Sequence, residues 1–87
     1  MTKITNESQL SVQIKSKDRV MFSGYVFSIT SKNERGVFDI LPFHANFISL
    51  ISDYIILDKG LETEKKFIIE KGVLYIISNK VDIHIGI

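Results

Sequence analysis

Val81-Asp82-Ile83-His84-Ile85-Gly86-Ile87, the last seven residues of the chain, show the clearest periodicity in the sequence. Apolar residues alternate with Asp82, His84 and Gly86, so an extended backbone places four apolar side chains on one face. A period of two over this length predicts a half-buried β-strand. The fold is therefore expected to be built from strands that each bury one face.

Two earlier segments repeat this pattern. Leu10–Lys15 and residues 25–30 alternate in the same way and are rich in β-branched or aromatic residues, so both are predicted strands. Residues 16–19 are polar and Ser23-Gly24 is small, which predicts a turn or kink on each side of residues 20–22.

The middle of the chain continues the series with shorter signals. Residues 31–36 have a loop composition, residues 37–41 form a strand, and Pro42 ends it because proline cannot donate to a ladder. Residues 47–57 fit a buried helix almost as well as two strands, and their isoleucine and tyrosine content together with Ser52-Asp53 favours two strands. Two further strands, 66–70 and 73–78, are predicted around Lys71-Gly72.

Many short strands with regular turns predict an all-β sandwich or small barrel. The 87 residues are sufficient for one domain, with residues 1–9 as a polar N-terminal lead. No internal repeat or linker is visible.

The composition argues against several classes of function. Eleven basic and ten acidic residues nearly cancel, so the strong positive field of a nucleic-acid-binding protein is not expected. The chain has no cysteine, which excludes disulfides and thiolate metal sites. No apolar run approaches the roughly 20 residues of a membrane-spanning helix, and residues 1–8 do not resemble a secretory signal. Any membrane association is expected to come through another protein.

The titratable side chains predict no catalytic centre. His44 and His84 lie on different predicted elements, and neither has a carboxylate at metal-ligand spacing, so no metal site is predicted. His84 is expected on a solvated strand face, whereas His44 either contacts a partner or closes a local turn. No serine has a recognisable base, and the five glycines form no phosphate-binding loop. We therefore predict no enzyme activity and no cofactor.

Three basic residues alternate near the first predicted turn: Lys15, Lys17 and Arg19. Such a stripe is able to meet an acidic partner or a phosphate group. An isolated stripe of this length is more typical of a solvated surface, which is the interpretation we favour.

Short phrases in a fixed order carry a resemblance that covers residues 10–87. An apolar first strand leads to Phe22-Ser23-Gly24, and a glycine-bearing loop with Gly36 follows the next strand. A later strand ends in Pro42, with His44 and Ala45 after it, and Gly72-Val73-Leu74 opens another strand. In this order the sequence resembles the N-terminal β-sandwich domain of the F-type ATP synthase epsilon subunit.

The resemblance implies a flattened β-sandwich of two five-stranded sheets. It also implies a noncatalytic rotor subunit of the central stalk, in an F-type ATP synthase or a related F-like rotary ATPase, which couples rotation to ATP synthesis or hydrolysis. The implied partners are the gamma subunit, the c ring or an equivalent, and indirectly the alpha and beta subunits of the catalytic head. The implied location is peripheral, on the cytoplasmic face of the bacterial cell membrane.

The resemblance also assigns surfaces to individual residues. A gamma-facing surface is expected at Ser16, Pro42, Phe43 and His44. A second loop, which faces the c ring, is expected at Gly36, Val37 and Phe38. The sequence departs from the family pattern at two of these positions and at one neighbouring position. The family often has an acid where Val37 stands, and glycines where Phe43 and the neighbouring Asp39 stand.

A further departure concerns the length of the chain. Many family members continue into two C-terminal helices that regulate hydrolysis, and the sequence is expected to correspond to a short form without them. The competing hypothesis, from a different functional class, is a free-standing β-sandwich that binds a small ligand or a peptide near Phe43 and Phe47, or that recruits a strand at a sheet edge.

Overall fold

The computed structural model describes residues 8–86, which form seven β-strands and no helix. These are β1 (Leu10–Lys15), β2 (Val20–Val26), β3 (Ile29–Asn33), β4 (Gly36–Ile40), β5 (Phe47–Leu57), β6 (Lys65–Ile77) and β7 (Lys80–Ile85). They are connected in one sheet in the order β2-β1-β7-β6-β5-β3-β4. All neighbours are antiparallel except β1 and β7, which are parallel.

The long strands β5 and β6 divide this sheet into two layers. Their register shifts between Ser52 and Asp53, and β3 pairs with β5 only from Ser52 onward. We call β2, β1, β7, residues 72–77 of β6 and residues 47–52 of β5 the front layer. Residues 65–69 and 53–57, together with β3 and β4, are the back layer.

One apolar core lies between the layers. It contains front-layer residues such as Ile14, Leu74 and Ile83 together with back-layer residues such as Ile29 and Ile55, all of which are fully buried. Because residues far apart in the strand order share this core, the sheet must fold over itself. The fold is therefore sandwich-like, although its strands belong to one hydrogen-bonded sheet.

Aromatic pairs join the layers at two places. Phe22 on β2 meets Phe67 on β6, with ring centroids 6.4 Å apart. Phe38 on β4 meets Phe47 on β5 at 5.7 Å. Both contacts are edge-to-face, the arrangement that aromatic rings prefer.

The all-β prediction is confirmed, but two five-stranded sheets are not. When β5 and β6 are counted in both layers, the described residues supply five strands to the front layer and four to the back layer. No helix among residues 8–86 is long and apolar enough to cross a membrane.

Four predicted boundaries were wrong. The turn or kink expected at Ser23-Gly24 is absent, because β2 runs through both residues from Val20 to Val26. Residues 25–30 are not one strand: β2 ends at Val26 and β3 begins at Ile29. Conversely, Ser52-Asp53 and Lys71-Gly72 are not turns, since β5 and β6 run through them. Residues that favour turns in a sequence here accommodate a register shift inside a long strand.

Gly72 shows why a glycine stands within β6. A Cβ atom at this position would lie 2.9 Å from the backbone oxygen of His84, closer than real Cβ atoms approach. The glycine therefore allows β6 and β7 to pair closely. Sequence alone predicted a turn here because strand-interior and turn glycines have the same local signal.

Candidate functional site

The connection between β4 and β5, residues 41–46, is fixed to the β6–β7 turn. The backbone N–H of Phe43 donates to Asn79 Oδ1 at 2.5 Å. In return, the N–H of Ser78 donates to Asn46 Oδ1 at 3.1 Å. These two bonds hold the loop at one end of the front layer, so its side chains are presented from a defined position.

Phe43 is the most unusual residue of this loop. Its φ angle is 69°, in the left-handed region that favours glycine, and its side chain is 75% exposed. Glycine is also the residue of the family pattern at this position. The chain therefore places a large exposed aromatic side chain on a backbone conformation that glycine would adopt without strain.

His44 closes a local turn and contacts an aromatic ring. Its N–H donates to the Leu41 carbonyl at 3.1 Å, and its Nδ1 lies 2.7 Å from the Ala45 carbonyl oxygen. The imidazole packs edge-to-face on Phe47 at 5.4 Å. Since Phe38 contacts the same ring, we call Phe38, His44 and Phe47 the aromatic cluster.

The aromatic cluster joins residues from the two surfaces expected from the sequence. His44 belongs to the expected gamma-facing set and Phe38 to the expected ring-facing set, yet both meet Phe47. Phe38 is half-buried against the core. The structure therefore directs Phe38 inward, while Val37, beside it, is 60% exposed. Gly36 has a φ of 120°, which accounts for glycine at the start of β4.

Ser16 lies apart from the other expected gamma-facing residues. Its N–H and hydroxyl both donate to the Arg19 carbonyl, at 2.9 and 3.3 Å, and so close the β1–β2 turn. The Asn79 carbonyl, at the anchored loop, accepts from the N–H of Ser11 at the opposite end of β1. Ser11 and Ser16 are five residue steps apart along the strand, about 17 Å at the usual rise per residue.

Between these ends, the outer face of the front layer exposes apolar side chains. Ile48 and Leu50 are each 70% exposed and Ile77 is 57% exposed. Across the β5–β6 register Ile48 pairs with Tyr75, and Leu50 pairs with Val73. We call Ile48, Leu50, Val73, Tyr75 and Ile77 the apolar strip.

A stacked pair borders the apolar strip. The rings of Tyr75 and His84 are nearly parallel, at 10°, with centroids 6.2 Å apart. His84 is half-buried, so the expectation of a solvated strand face is met only in part. A shallow depression, lined in part by Phe47, Ile48 and Tyr75, connects this region to the anchored loop.

The charged groups near Val37 form one ion pair. Lys32, which pairs with Val37 across the β3–β4 hairpin, lies with its Nζ 3.0 Å from Asp53 Oδ2. The hydrogen bond from this amine to Asp53, reinforced by the opposite charge, raises the pKa of Lys32. Asp39, at the other departure from the family pattern, accepts a 2.6 Å hydrogen bond from Thr30 Oγ1.

The most buried carboxylate has a structural environment. Asp58 is 4% exposed; its Oδ1 accepts from the backbone N–H groups of Phe27 and Ser28, and its Oδ2 accepts from Thr63 Oγ1 at 2.6 Å. This carboxylate ties the β5–β6 loop to the break between β2 and β3. Within residues 8–86, no group of three or more histidines and acids is arranged to hold a metal ion.

Sequence reasoning missed the apolar strip and the asparagine anchors. The alternation Ile48-Ser49-Leu50 was visible, but residues 47–57 also fitted a buried helix, and alternation does not say which face of a sandwich strand is outside. Asn46 and Asn79 bond across 32 and 36 residues of sequence, and no local signal reveals such contacts.

Comparisons with known proteins agree with this fold. Residues 9–85 match the family described as "ATP synthase, Delta/Epsilon chain, beta-sandwich domain". A curated relative, the ATP synthase epsilon chain of Endomicrobium trichonymphae, is 26% identical over 76 residues. That alignment covers 87% of this chain and 55% of the relative, so this chain spans about half the relative's length.

Solved structures of ATP synthases contain chains that are similar to this one in fold, at low sequence identity. A chain in the Euglena gracilis mitochondrial ATP synthase, from a structure of OSCP, F1 and the c-ring, matches with a TM-score of 0.81 at 16% identity. The match covers 90% of this chain and 51% of that one. A chain of the Tetrahymena thermophila mitochondrial central stalk and c-ring matches with a TM-score of 0.70 at 14% identity, covering 93% and 66%. At these identities the likeness concerns the fold.

Proposed function

Because this chain belongs to the ATP synthase delta/epsilon chain β-sandwich domain family, we propose that it is a noncatalytic subunit of the central stalk of a rotary ATP synthase. The observation that carries this proposal is the family match over residues 9–85, which includes every strand of the fold. In this role the chain forms one domain that transmits rotation and leaves catalysis to other subunits. The family match also confirms the resemblance to the epsilon-chain domain.

The proposed role requires a stiff domain. A close-packed core and a hydrogen-bonded ladder that runs through both layers resist shear better than separate elements would. Here β5 and β6 continue from one layer into the other, so the layers are covalently and hydrogen-bond connected. Two five-stranded sheets, as the resemblance implies, remain part of the proposal.

The gamma subunit is the proposed partner of the front layer. Ser16 lies at one end of β1, and Pro42, Phe43 and His44 lie at the other, with the outer face between them. A partner that touches both ends must extend along this outer face. The apolar strip supports the proposal, because apolar side chains exposed this far are typical of interfaces.

The c ring, or an equivalent, is the proposed partner of the β3–β4 hairpin. Of Gly36, Val37 and Phe38, only Val37 presents a largely exposed apolar side chain. An apolar contact between Val37 and the ring would then take the place of a polar contact made by the carboxylate that the family often has here. The same proposal locates the subunit on the cytoplasmic face of the bacterial cell membrane, held there by its partners, with the alpha and beta subunits reached through gamma.

A ligand-binding module is the alternative function. The depression beside Phe47, Ile48 and Tyr75 favours it, since such a depression is able to receive an apolar group or a peptide side chain. The two functions differ in one observable property. A stalk subunit binds a gamma subunit, whereas a free-standing module gains thermal stability from a small molecule.

Co-expression with the gamma subunit of the same organism tests the proposal. The tagged chain should retain gamma through affinity purification and gel filtration, and Ile48→Lys should release it by inserting a charge into the apolar strip. Ile68→Lys is the matched control, because Ile68 is 76% exposed on the back layer. Failure of the unaltered chain to retain gamma, or equal loss in both variants, would contradict the proposed interface.

A further inference from the structure

The first half of β5 has one open edge. β6 pairs with β5 along its whole length, whereas β3 pairs with it only from Ser52 onward. Within the described residues, 47–51 therefore pair with no strand on the side away from β6, where the side-chain amide of Asn33, the last residue of β3, donates to Ser49 Oγ at 3.2 Å. An open edge presents backbone donors and acceptors to any strand that fits it.

The orientation of the backbone groups on this edge follows from the neighbouring ladder. In an antiparallel ladder, the N–H and C=O of one residue point to the same side, and the side alternates along the strand. The N–H of Gly86 donates to the Lys71 carbonyl, so Lys71 turns toward β7. Three residues later, Leu74 must turn the other way, toward β5.

Leu74 pairs with Ser49. Ser49 therefore bonds to β6, while Ile48 and Leu50 direct their N–H and C=O groups to the open edge. A second contact agrees with this assignment: the Leu50 carbonyl accepts a 2.9 Å hydrogen bond from the hydroxyl of Ser49 rather than from a ladder N–H.

This edge lacks the features that protect the others. Residues 65–69 of β6 carry Lys65 and Lys66, and β4 carries Asp39. β2 contains Gly24, and its pairing with β1 has a register shift between Ile14 and Lys15. Charges, glycines and irregular register all discourage pairing with another strand. Residues 46–51 contain no charged residue, glycine or proline, and their two outward side chains are 70% exposed.

We propose that two copies of this chain pair through this edge, antiparallel, with Ser49 on the two-fold axis. This register places Ile48 opposite Leu50 of the second copy and Leu50 opposite Ile48. All four residues direct their backbone groups across the edge, so four hydrogen bonds form. Shifting the register by one residue would oppose groups that point away from each other.

The proposed contact also covers apolar surface. The exposed side chains of Ile48 and Leu50 become cross-strand neighbours on the outer face, each beside its counterpart from the second copy. The contact is short, so the dimer is expected to be reversible rather than obligate. The front layers of the two copies would form one continuous ten-stranded sheet.

Pairing and gamma binding would use the same residues, an expectation that rests on the proposed function. Ile48 and Leu50 belong to the apolar strip, so we expect a bound gamma subunit and a second copy to compete for them. The dimer would then protect the open edge in subunits that have not yet been assembled.

Single cysteines test the pairing directly, because the chain has none of its own. Ser49→Cys would put two cysteines face to face in a non-hydrogen-bonded pair, with Cα atoms about 4.5 Å apart, within the range for a disulfide. Ile68→Cys, on the exposed back layer, is the control. Under mild oxidation we expect Ser49→Cys to form a linked dimer on the order of tenfold faster than Ile68→Cys, because pairing raises the effective concentration.

A second change verifies the register. Leu50→Lys in the Ser49→Cys background should remove the fast cross-linking while leaving the circular dichroism and melting temperature close to those of the parent. Added gamma should also slow cross-linking. Equal rates for the two single cysteines, or fast cross-linking that survives Leu50→Lys, would overturn the dimer. Fast cross-linking that gamma does not slow would instead refute the competition and leave the dimer standing.

Discussion

Phe43 combines a left-handed backbone with a largely exposed aromatic ring. The φ of 69° costs a non-glycine residue about 1–2 kcal/mol, and the surrounding hydrogen bond to Asn79 holds the conformation in place. Burial of the side chain offsets little of this energetic cost, since Phe43 is 75% exposed. A strained residue at an exposed position is best explained by a contact outside the chain.

Phe43→Gly should therefore separate stability from binding. We expect the free energy of unfolding to stay the same or to rise by up to about 1 kcal/mol, because glycine adopts this φ without strain but is more flexible when unfolded. Affinity for gamma should fall. Urea unfolding and a pull-down measure the two effects, and Phe43→Ala is a control that removes the ring while keeping most of the strain. A clear loss of stability in Phe43→Gly would show that the ring supports the fold itself.

Lys32 and Asp53 form an ion pair beside the β5 register shift, and the exposed position makes its energetic effect small. Asp53→Asn should lower the pKa of Lys32 toward its ordinary value by removing the charge-assisted hydrogen bond. The raised pKa contributes stability below the pKa of the unfolded lysine, and this contribution is lost as pH rises through the folded pKa. NMR titration of the Lys32 side chain in both proteins checks the shift, which high salt should reduce.

At the scale of elements, the Asp58 carboxylate decides where β2 ends and β3 begins. The N–H groups of Phe27 and Ser28 turn to this carboxylate, at 2.6 and 3.3 Å, instead of continuing a strand. The predicted strand 25–30 failed for this reason. Its residues favour a strand, and the carboxylate that interrupts them lies 30 residues later in the sequence.

Asp58→Ala should destabilise the fold by about 2–3 kcal/mol, because buried donors lose their acceptor. Asp58→Asn should lose less stability, since its amide oxygen can still accept a hydrogen bond. Thermal and urea unfolding measure both, with Asp53→Ala at the exposed ion pair as a control that should change stability little. Equal stability of Asp58→Ala and Asp53→Ala would mean that the Asp58 carboxylate does not hold the β5–β6 loop to the break between β2 and β3.

The longest strands were the hardest elements to predict. Ser52-Asp53 and Lys71-Gly72 carry turn residues, yet both lie inside long strands. Ser52 pairs with Lys71, and the register shifts directly after this pair, so that Asp53 pairs with Ile69. Only the pairing of β5 with β6 makes this visible. By contrast, β1 has its predicted bounds and β7 begins one residue before its predicted start, because each buries alternate side chains in the core. The predicted end of the last strand, residue 87, lies outside the described residues.

For the whole molecule, the sequence was sufficient for the all-β class and for the family. Both depend on local alternation and on short phrases in order. The number of strands per layer, the meeting of Phe38 and His44 on Phe47, and the separation of Ser16 from the anchored loop depend on which strands neighbour each other. Parallel pairing of β1 with β7 joins residues about 70 apart, which no local pattern specifies.

Affinity purification from the native cell is the most direct test of whether the chain works as a stalk subunit. The tagged chain would be isolated in mild detergent and its copurifying proteins identified by mass spectrometry. We predict recovery of gamma together with the alpha and beta subunits, and of a c-type subunit if the hairpin at Val37 meets the ring. Recovery of the chain without any of these subunits would contradict a role in the central stalk.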